Sequence, residues 1–303
     1  MSKNILMIVN PVSGRGILKQ NLWKILETFS SADITANVIF TKKRGDATEF
    51  AKNCPDYIET VVCAGGDGTL NEVISGLMEN PNPHKLGYIP VGTTNDLATS
   101  LGISKNPIEA TKNIINGHTE AIDIGSFSGR YFNYVASFGA FTEASYNTSQ
   151  EAKNILGHFA YILEGIMSLA NIRPYRVKFT FDNNVLEDDF IFAAISNTTS
   201  MGGVLKLKDT LVALNDGEFE LLVVKNPTNI IQLQKILGEI MTQNFSGDLV
   251  KLFHTSHIVV ESEEEFDWTL DGECHHGSKL EKIKNITKAI KLIVPAPKSV
   301  KSE

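Results

Sequence analysis

The sequence predicts an α/β domain built on a parallel sheet, followed by a mainly antiparallel β domain. Three observations predict it. Short apolar runs alternate with helical stretches through the first third of the 303 residues, as βαβ units require. After Gly125 the character changes, and strand-like runs follow one another through polar turns. A last largely apolar run, Ala289 to Val294 with Lys291 within it, reads as a strand returning to the first domain. The expected domains are therefore residues 1–125, with 287–303 returning, and residues 126–286.

Taken in order, Ile5 to Val9 is apolar at every position, as a strand covered on both faces would be. A helix is expected over Leu18 to Phe29 and a strand over Ile34 to Phe40. Asp46 is expected to cap a helix over Ala47 to Lys52. Strands over Glu59 to Ala64, Leu86 to Ile89 and Ala121 to Ile124 complete the sheet, with helices from Thr69, Asn95 and Pro107. In the second domain the expected strands are Tyr131 to Phe138, Arg176 to Phe181, Phe190 to Ser196, Glu218 to Val224 and Leu249 to Val260. Turns such as Asp182-Asn183-Asn184 and Asn215-Asp216-Gly217 link them. Two helical insertions are expected, Lys153 to Ala170 and Ile230 to Met241.

Composition narrows the function. A hydrophobic fraction of 42% with 21% charged residues is that of a globular chain. A net charge of -7 argues against an evenly basic nucleic-acid binder, while leaving room for a local basic patch. Cys54, Cys63 and Cys274 show no CxxC spacing, which fits a reducing compartment and neither a disulfide framework nor a thiolate zinc site. No secretory signal is read at the start, and the apolar stretch Phe159 to Ile172, interrupted by Glu164, is too short to span a bilayer. A cytoplasmic protein is expected.

The chemistry lies in three loops. In Cys63-Ala64-Gly65-Gly66-Asp67-Gly68-Thr69-Leu70-Asn71-Glu72 a strand runs into three glycines and then a helix. Glycines let backbone N–H groups approach phosphate oxygens, and a helix N-terminus adds a favourable dipole. A carboxylate there repels phosphate unless a divalent cation lies between, so Asp67 predicts Mg²⁺. For a lone glycine loop, a tight turn with a capping aspartate is the better explanation. Two further loops tip the balance: Asn10-Pro11-Val12-Ser13-Gly14-Arg15-Gly16 follows the first strand, and Pro90-Val91-Gly92-Thr93-Thr94-Asn95-Asp96-Leu97 follows the fourth. In a parallel sheet these ends share the carboxyl edge, where ligands bind. Thr41 lies on the same edge.

These segments resemble the diacylglycerol kinase catalytic-domain family, soluble bacterial lipid kinases distantly related to NAD kinases and phosphofructokinases. The resemblance runs nearly end to end, through NPVSGRG, GGDGTLNEV and PVGTTNDLA. It implies a nucleotide-binding first domain with the active site in the cleft before the β domain. It implies ATP and Mg²⁺ as cofactors and the hydroxyl of diacylglycerol, or of a related lipid, as acceptor. Asn10, Pro11, Val12, Ser13, Gly14, Thr41, Gly65, Gly66, Asp67, Gly68, Thr69, Leu70, Asn71 and Thr93 would form the ATP site. Asp67, Asp96 and Asp123 would hold or order the catalytic magnesium. Leu270-Asp271-Gly272-Glu273 resembles the segment of the catalytic base, making Glu273 that base. A second, structural Mg²⁺ would be bound by Asp216 and by backbone carbonyls near Ala213 and Glu218.

Other readings stay open beside this one. Another hydroxyl acceptor, such as a sphingoid base, phosphatidylglycerol or NAD, is one. A nucleotide-binding membrane sensor without turnover is another. The segment Lys153 to Ile172 is the candidate lipid-facing helix, and Arg15, Lys19, Lys24, Lys42, Lys43 and Arg44 are the candidate contacts with an anionic inner membrane surface. A homodimer is compatible with the apolar surface implied in the β domain. In Cys274-His275-His276 neighbouring strand residues point to opposite faces, so one ion cannot easily use all three.

Overall fold

The structure is a computed structural model that describes residues 3–139, 173–198, 200–201, 205–208 and 213–296. The expected helix Lys153 to Ala170 lies outside the described residues. The chain divides into two units, Met1–Ile122 with Lys288–Glu303, and Asp123–Thr287.

The first unit is a mainly parallel sheet covered on both faces. Its parallel strands are β1 (Lys3–Val9), β2 (Ile34–Phe40), β3 (Thr60–Gly65), β4 (Lys85–Pro90) and the end of β17 (Leu280–Val294). The early part of β5 (His118–Phe127) joins beside β17 in the antiparallel sense, with Gly117 against Val294 and Ser128 N bonded to the Lys282 carbonyl. The order runs β2-β1-β3-β4-β17, every pair parallel. The helices are α1 (Ile17–Ser30), α2 (Asp46–Lys52), α3 (Asp67–Glu79), α4 (Asp96–Ser100) and α5 (Pro107–Asn116). Ile5, Met7 and Val9 pack against Leu18, Ile25 and Phe29 of α1 and Ala110 and Ile114 of α5. That double cover explains why β1 and β3 lack a polar alternation. Helices α2 and α3 approach closely at Gly76, where a Cβ would lie 2.3 Å from the Thr48 carbonyl oxygen.

Asp46 does not cap α2 as expected. It is the first helical residue, and its carboxylate accepts the Lys42 and Lys43 N–H groups of the preceding loop. The cap comes from α3: Glu72 accepts from Gly45 N at 3.0 Å and from Ala47 N at 3.2 Å.

The second unit is mainly antiparallel. After β5 come β6 (Arg130–Phe132), β7 (Val135–Gly139), β8 (Tyr175–Phe181) and β9 (Asn184–Ser196). The short pair β10 (Ser200–Met201) and β11 (Leu205–Lys206) follows, then β12 (Phe219–Lys225), α6 (Ile230–Thr242), β13 (Val250–Thr255) and β14 (His257–Ser262). A hairpin of β15 (Asp267–Leu270) and β16 (Glu273–His276) precedes β17. Two expected strands are each divided. Tyr131 to Phe138 breaks at Asn133-Tyr134, and Leu249 to Val260 breaks at Ser256. Strand β9 is the hub, pairing with β7, β8 and β12. One side of the sheet buries an aromatic core that includes Phe132, Phe138, Phe179, Phe219 and Trp268, and α6 covers the other with Leu233, Ile236 and Ile240.

Candidate active site

The three glycine loops of the first unit meet. Asn10, just past β1, bonds through its backbone N–H to the Ala64 carbonyl and donates its amide to Thr69 Oγ1 at 2.8 Å. Its side-chain oxygen accepts Val12 N, turning the loop. Gly14, at φ 68°, lies against the third loop: a Cβ there would sit 2.2 Å from the Val91 carbonyl oxygen. Gly66 and Gly92 are packed backbone to backbone, and a Cβ on Gly92 would fall 2.6 Å from Gly66 Cα. Thr41 N donates to the Val9 carbonyl, which holds Thr41 at the end of β1.

Asp67 opens α3 and clamps the third loop. Its carboxylate accepts Asn95 N at 2.7 Å and Asp96 N at 3.1 Å. Asn95 takes the left-handed conformation, φ 53°, and its amide exchanges hydrogen bonds with both the N–H and the carbonyl of Gly92. Burial pushes the Asp67 carboxyl up, and the Asn95 and Asp96 N–H groups pull it back down. Burial likewise pushes the Tyr88 phenol up, with the Asp67 charge adding to it. The surface left open carries Pro11, Val12, Gly68 and Thr93 beside the first turn of α3, whose leading N–H groups lack intrahelical acceptors. Leu70 turns its side chain into the core, so only its backbone faces this edge. Asp67 and Asp96 are hard oxygen donors on adjacent loops, a set that fits Mg²⁺.

Asp123 belongs to the second unit. It is fully buried, and its carboxylate accepts Gly217 N at 2.7 Å. The structure thus joins Asp67 with Asp96, and Asp123 with the Asn215-Asp216-Gly217 turn. Asp216 accepts Glu218 N at 3.0 Å, while the Glu218 carbonyl accepts the Asn285 amide. Two residues on, Glu220 is fully buried, and its carboxylate oxygens take no hydrogen bond from any other described residue. Burial pushes its carboxyl up to about 9; its own backbone N–H lowers it, and the charges of Asp216 and Glu218 raise it. An orphaned buried carboxylate beside Asp216 fits a cation at this turn.

Glu273 begins β16, after a two-residue turn. Asp271 and Gly272 both have positive φ, 49° and 83°, which makes this a type I′ hairpin. The Asp271 carboxylate accepts the N–H groups of Asn133, Tyr134 and Val135, tying the turn to the break between β6 and β7. The Glu273 carboxylate accepts Arg130 Nη2 at 3.1 Å.

Comparison with known proteins agrees with this architecture. Residues 4–127 match the diacylglycerol kinase catalytic domain, and residues 135–294 match the YegS C-terminal NAD kinase beta sandwich-like domain. The diacylglycerol kinase of Bacillus subtilis is 34% identical over 300 residues, covering 98% of both chains. That of Staphylococcus carnosus is 35% identical over 280 residues, covering 90% of this chain and 89% of the other. A crystal structure of a diacylglycerol kinase from Bacillus anthracis superposes with a TM-score of 0.75 at 25% identity, covering 97% of each chain.

The chain belongs to the diacylglycerol kinase family. Membership makes it a kinase, and its two-domain fold is that of the family. Within this family member, sequence reasoning missed Glu72, Arg130, Glu220 and Asp271. For the last a signal was present, since Asp-Gly between short strands marks a tight hairpin. Among the described residues no helix is long and apolar enough to cross a membrane.

Proposed function

We propose that the protein transfers the γ-phosphoryl group of ATP to the free hydroxyl of diacylglycerol, giving phosphatidic acid and ADP. The observation that carries this reading is the junction of the three glycine loops, in which Asn10 binds Thr69 and Asp67 binds Asn95 and Asp96. Such a junction offers N–H groups to phosphate oxygens and carboxylates to a hard cation. Asn10 to Gly14, Thr41, Gly65 to Asn71 and Thr93 are assigned to ATP. Asp67, Asp96 and Asp123 would hold or order Mg²⁺ through direct or water-mediated contacts. Bound there, Mg²⁺ would stabilise charge on the transferred phosphoryl group. Glu273 takes the proton of the attacking hydroxyl, and Arg130 fixes the orientation of its carboxylate. The Asp216 turn, with the carbonyls of Ala213 and Glu218, is assigned to a second, structural cation. The exposed side chains of Lys19, Lys24, Lys42, Lys43 and Arg44 are assigned to peripheral contact with an anionic membrane surface.

The test is transfer of label from γ-labelled ATP with Mg²⁺ to diacylglycerol in mixed micelles, sphingosine, phosphatidylglycerol and NAD. Labelled phosphatidic acid from wild type and none from Glu273→Ala is the expected result. Label on another acceptor alone would move the substrate, and no label on any would remove the catalytic reading.

A further inference from the structure

Strand alternation sorts the hairpin of β15 and β16 into two chemically different faces. In the antiparallel register Asp267 lies opposite His276, Trp268 opposite His275 and Thr269 opposite Cys274. His275 faces inward, its ring 5.4 Å from that of Phe127 in an edge contact. Cys274 and His276 face outward, and so does Asp267, directly across from His276. His275, the middle of the Cys-His-His run, is thereby excluded, and an aspartate from the neighbouring strand takes its place.

One thiol, one imidazole and one carboxylate therefore share a solvent-facing patch. Their ligand atoms all lie within 4.8 Å of one another, and this is the only such trio among the described residues. Asp267 and His276 are already in contact, with His276 Nδ1 2.6 Å from Asp267 Oδ1. A tetrahedral ion with bonds of about 2.0–2.3 Å needs ligand atoms about 3.5 Å apart. Exposed side chains close that remaining ångström by rotamer changes, while the tight turn and the ladder keep their Cα atoms in place.

The donor set selects the ion. Sulfur and imidazole nitrogen disfavour Mg²⁺ and Ca²⁺, which take oxygen, and favour borderline-soft divalent ions. Three protein ligands leave a fourth, solvent-facing position, as in open zinc sites.

We propose that Asp267, Cys274 and His276 form a surface site for Zn²⁺, separate from the carboxylate sites assigned to Mg²⁺. Binding exchanges the Cys274 thiol proton for the ion, so it releases a proton and tightens as pH rises. The ion links β15 to β16 at the open end of their hairpin. Glu273 is the chain neighbour of Cys274, so occupancy also restrains the residue assigned as catalytic base. That consequence rests on the kinase assignment above, whereas the binding does not.

Cobalt makes the site visible. Full-length, tag-free, reduced protein in excess Mg²⁺ is titrated anaerobically with Co²⁺. The expected result is one equivalent bound, with a thiolate-to-cobalt charge-transfer band in the near ultraviolet and tetrahedral-strength visible absorption. Zn²⁺ should then abolish both. Cys274→Ser should remove the band, and His276→Asn and Asp267→Asn should each weaken Zn²⁺ binding at least about 10-fold in competition with a chromophoric chelator. Both of the latter keep the thiol, so they also check against loss of fold in the serine variant. A band that survives Cys274→Ser, no band at millimolar Co²⁺, or unchanged Zn²⁺ affinity in both His276→Asn and Asp267→Asn would overturn the proposal. None of these readouts depends on kinase activity.

Discussion

The Asp67 carboxylate accepts the backbone N–H of Asn95 at 2.7 Å, so the aspartate of one glycine loop sets the conformation of another. The same group accepts Asp96 N, and Asn95 in turn fixes Gly92. Asp67→Asn replaces an acceptor by a donor facing these N–H groups. The expected outcome is loss of phosphoryl transfer with a stability loss of about 1–3 kcal/mol in urea unfolding. Unchanged stability would mean that the third loop holds its shape without Asp67.

Gly92 and Gly16 provide a contrast between crowding and backbone strain. A Cβ on Gly92 meets Gly66 Cα at 2.6 Å and Asn95 Oδ1 at 2.8 Å, whereas one on Gly16 meets nothing within 4 Å but sits at φ 90°. Gly92→Ala should push two loops apart, destabilising by about 1–3 kcal/mol and weakening ATP binding at least about 10-fold by titration calorimetry. Gly16→Ala should show only the left-handed penalty of about 1–2 kcal/mol. Equal ATP affinities in the two variants would refute the idea that the Gly66–Gly92 contact shapes the site.

These loops were legible in the sequence because glycines, an aspartate and flanking apolar runs are local signals. The partners of Asp67 and Glu72 were not. Asn95 and Gly45 lie 28 and 27 residues away, and only the fold brings them close. The hairpin at Asp271-Gly272 was obscured by the acidic run Glu263-Glu264-Glu265 before it and by strands of four residues each. Glu220 stands between Phe219 and Leu221, where alternation reads as one polar, outward position. In the fold that second face is buried too, beneath α6, which leaves the carboxylate inside. Breaks at Asn133-Tyr134 and Ser256 follow from backbone pairing that changes partner, which a run of apolar residues does not announce.

The three cysteines should divide sharply in reactivity. Cys54 and Cys63 are buried, and burial pushes the Cys54 thiol up to about 11 and the Cys63 thiol further still, the latter with the charges of Asp67 and Glu72 adding to it. Both changes suppress the thiolate that reacts. Cys274 is exposed. Native protein at pH 8 should react with one equivalent of a disulfide reagent quickly, and with the other two only on unfolding. Two fast thiols in wild type, or one in Cys274→Ser, would contradict this burial pattern.

Arg130 reaches two residues of β16, with Nη2 3.1 Å from Glu273 Oε2 and Nη1 3.4 Å from His275 Nδ1. Burial holds the His275 imidazole below its ordinary range, and the Arg130 charge lowers it further. The sign of the pH effect follows from which state binds the proton. As pH falls through about 6.5 the unfolded chain protonates His275 while the native protein does not, so this group makes the fold less stable toward acid until the lowered native value is reached. Arg130→Gln removes the repulsion but not the burial. Its His275 resonance should titrate at higher pH than in wild type, though still below the ordinary value. Its unfolding free energy should also fall less between pH 7 and pH 5.5. An unshifted titration in the variant would show that the Arg130 charge does not act on the imidazole, beside burial and the opposing charges of Glu281 and His276, and that the Arg130 contact is not maintained in solution.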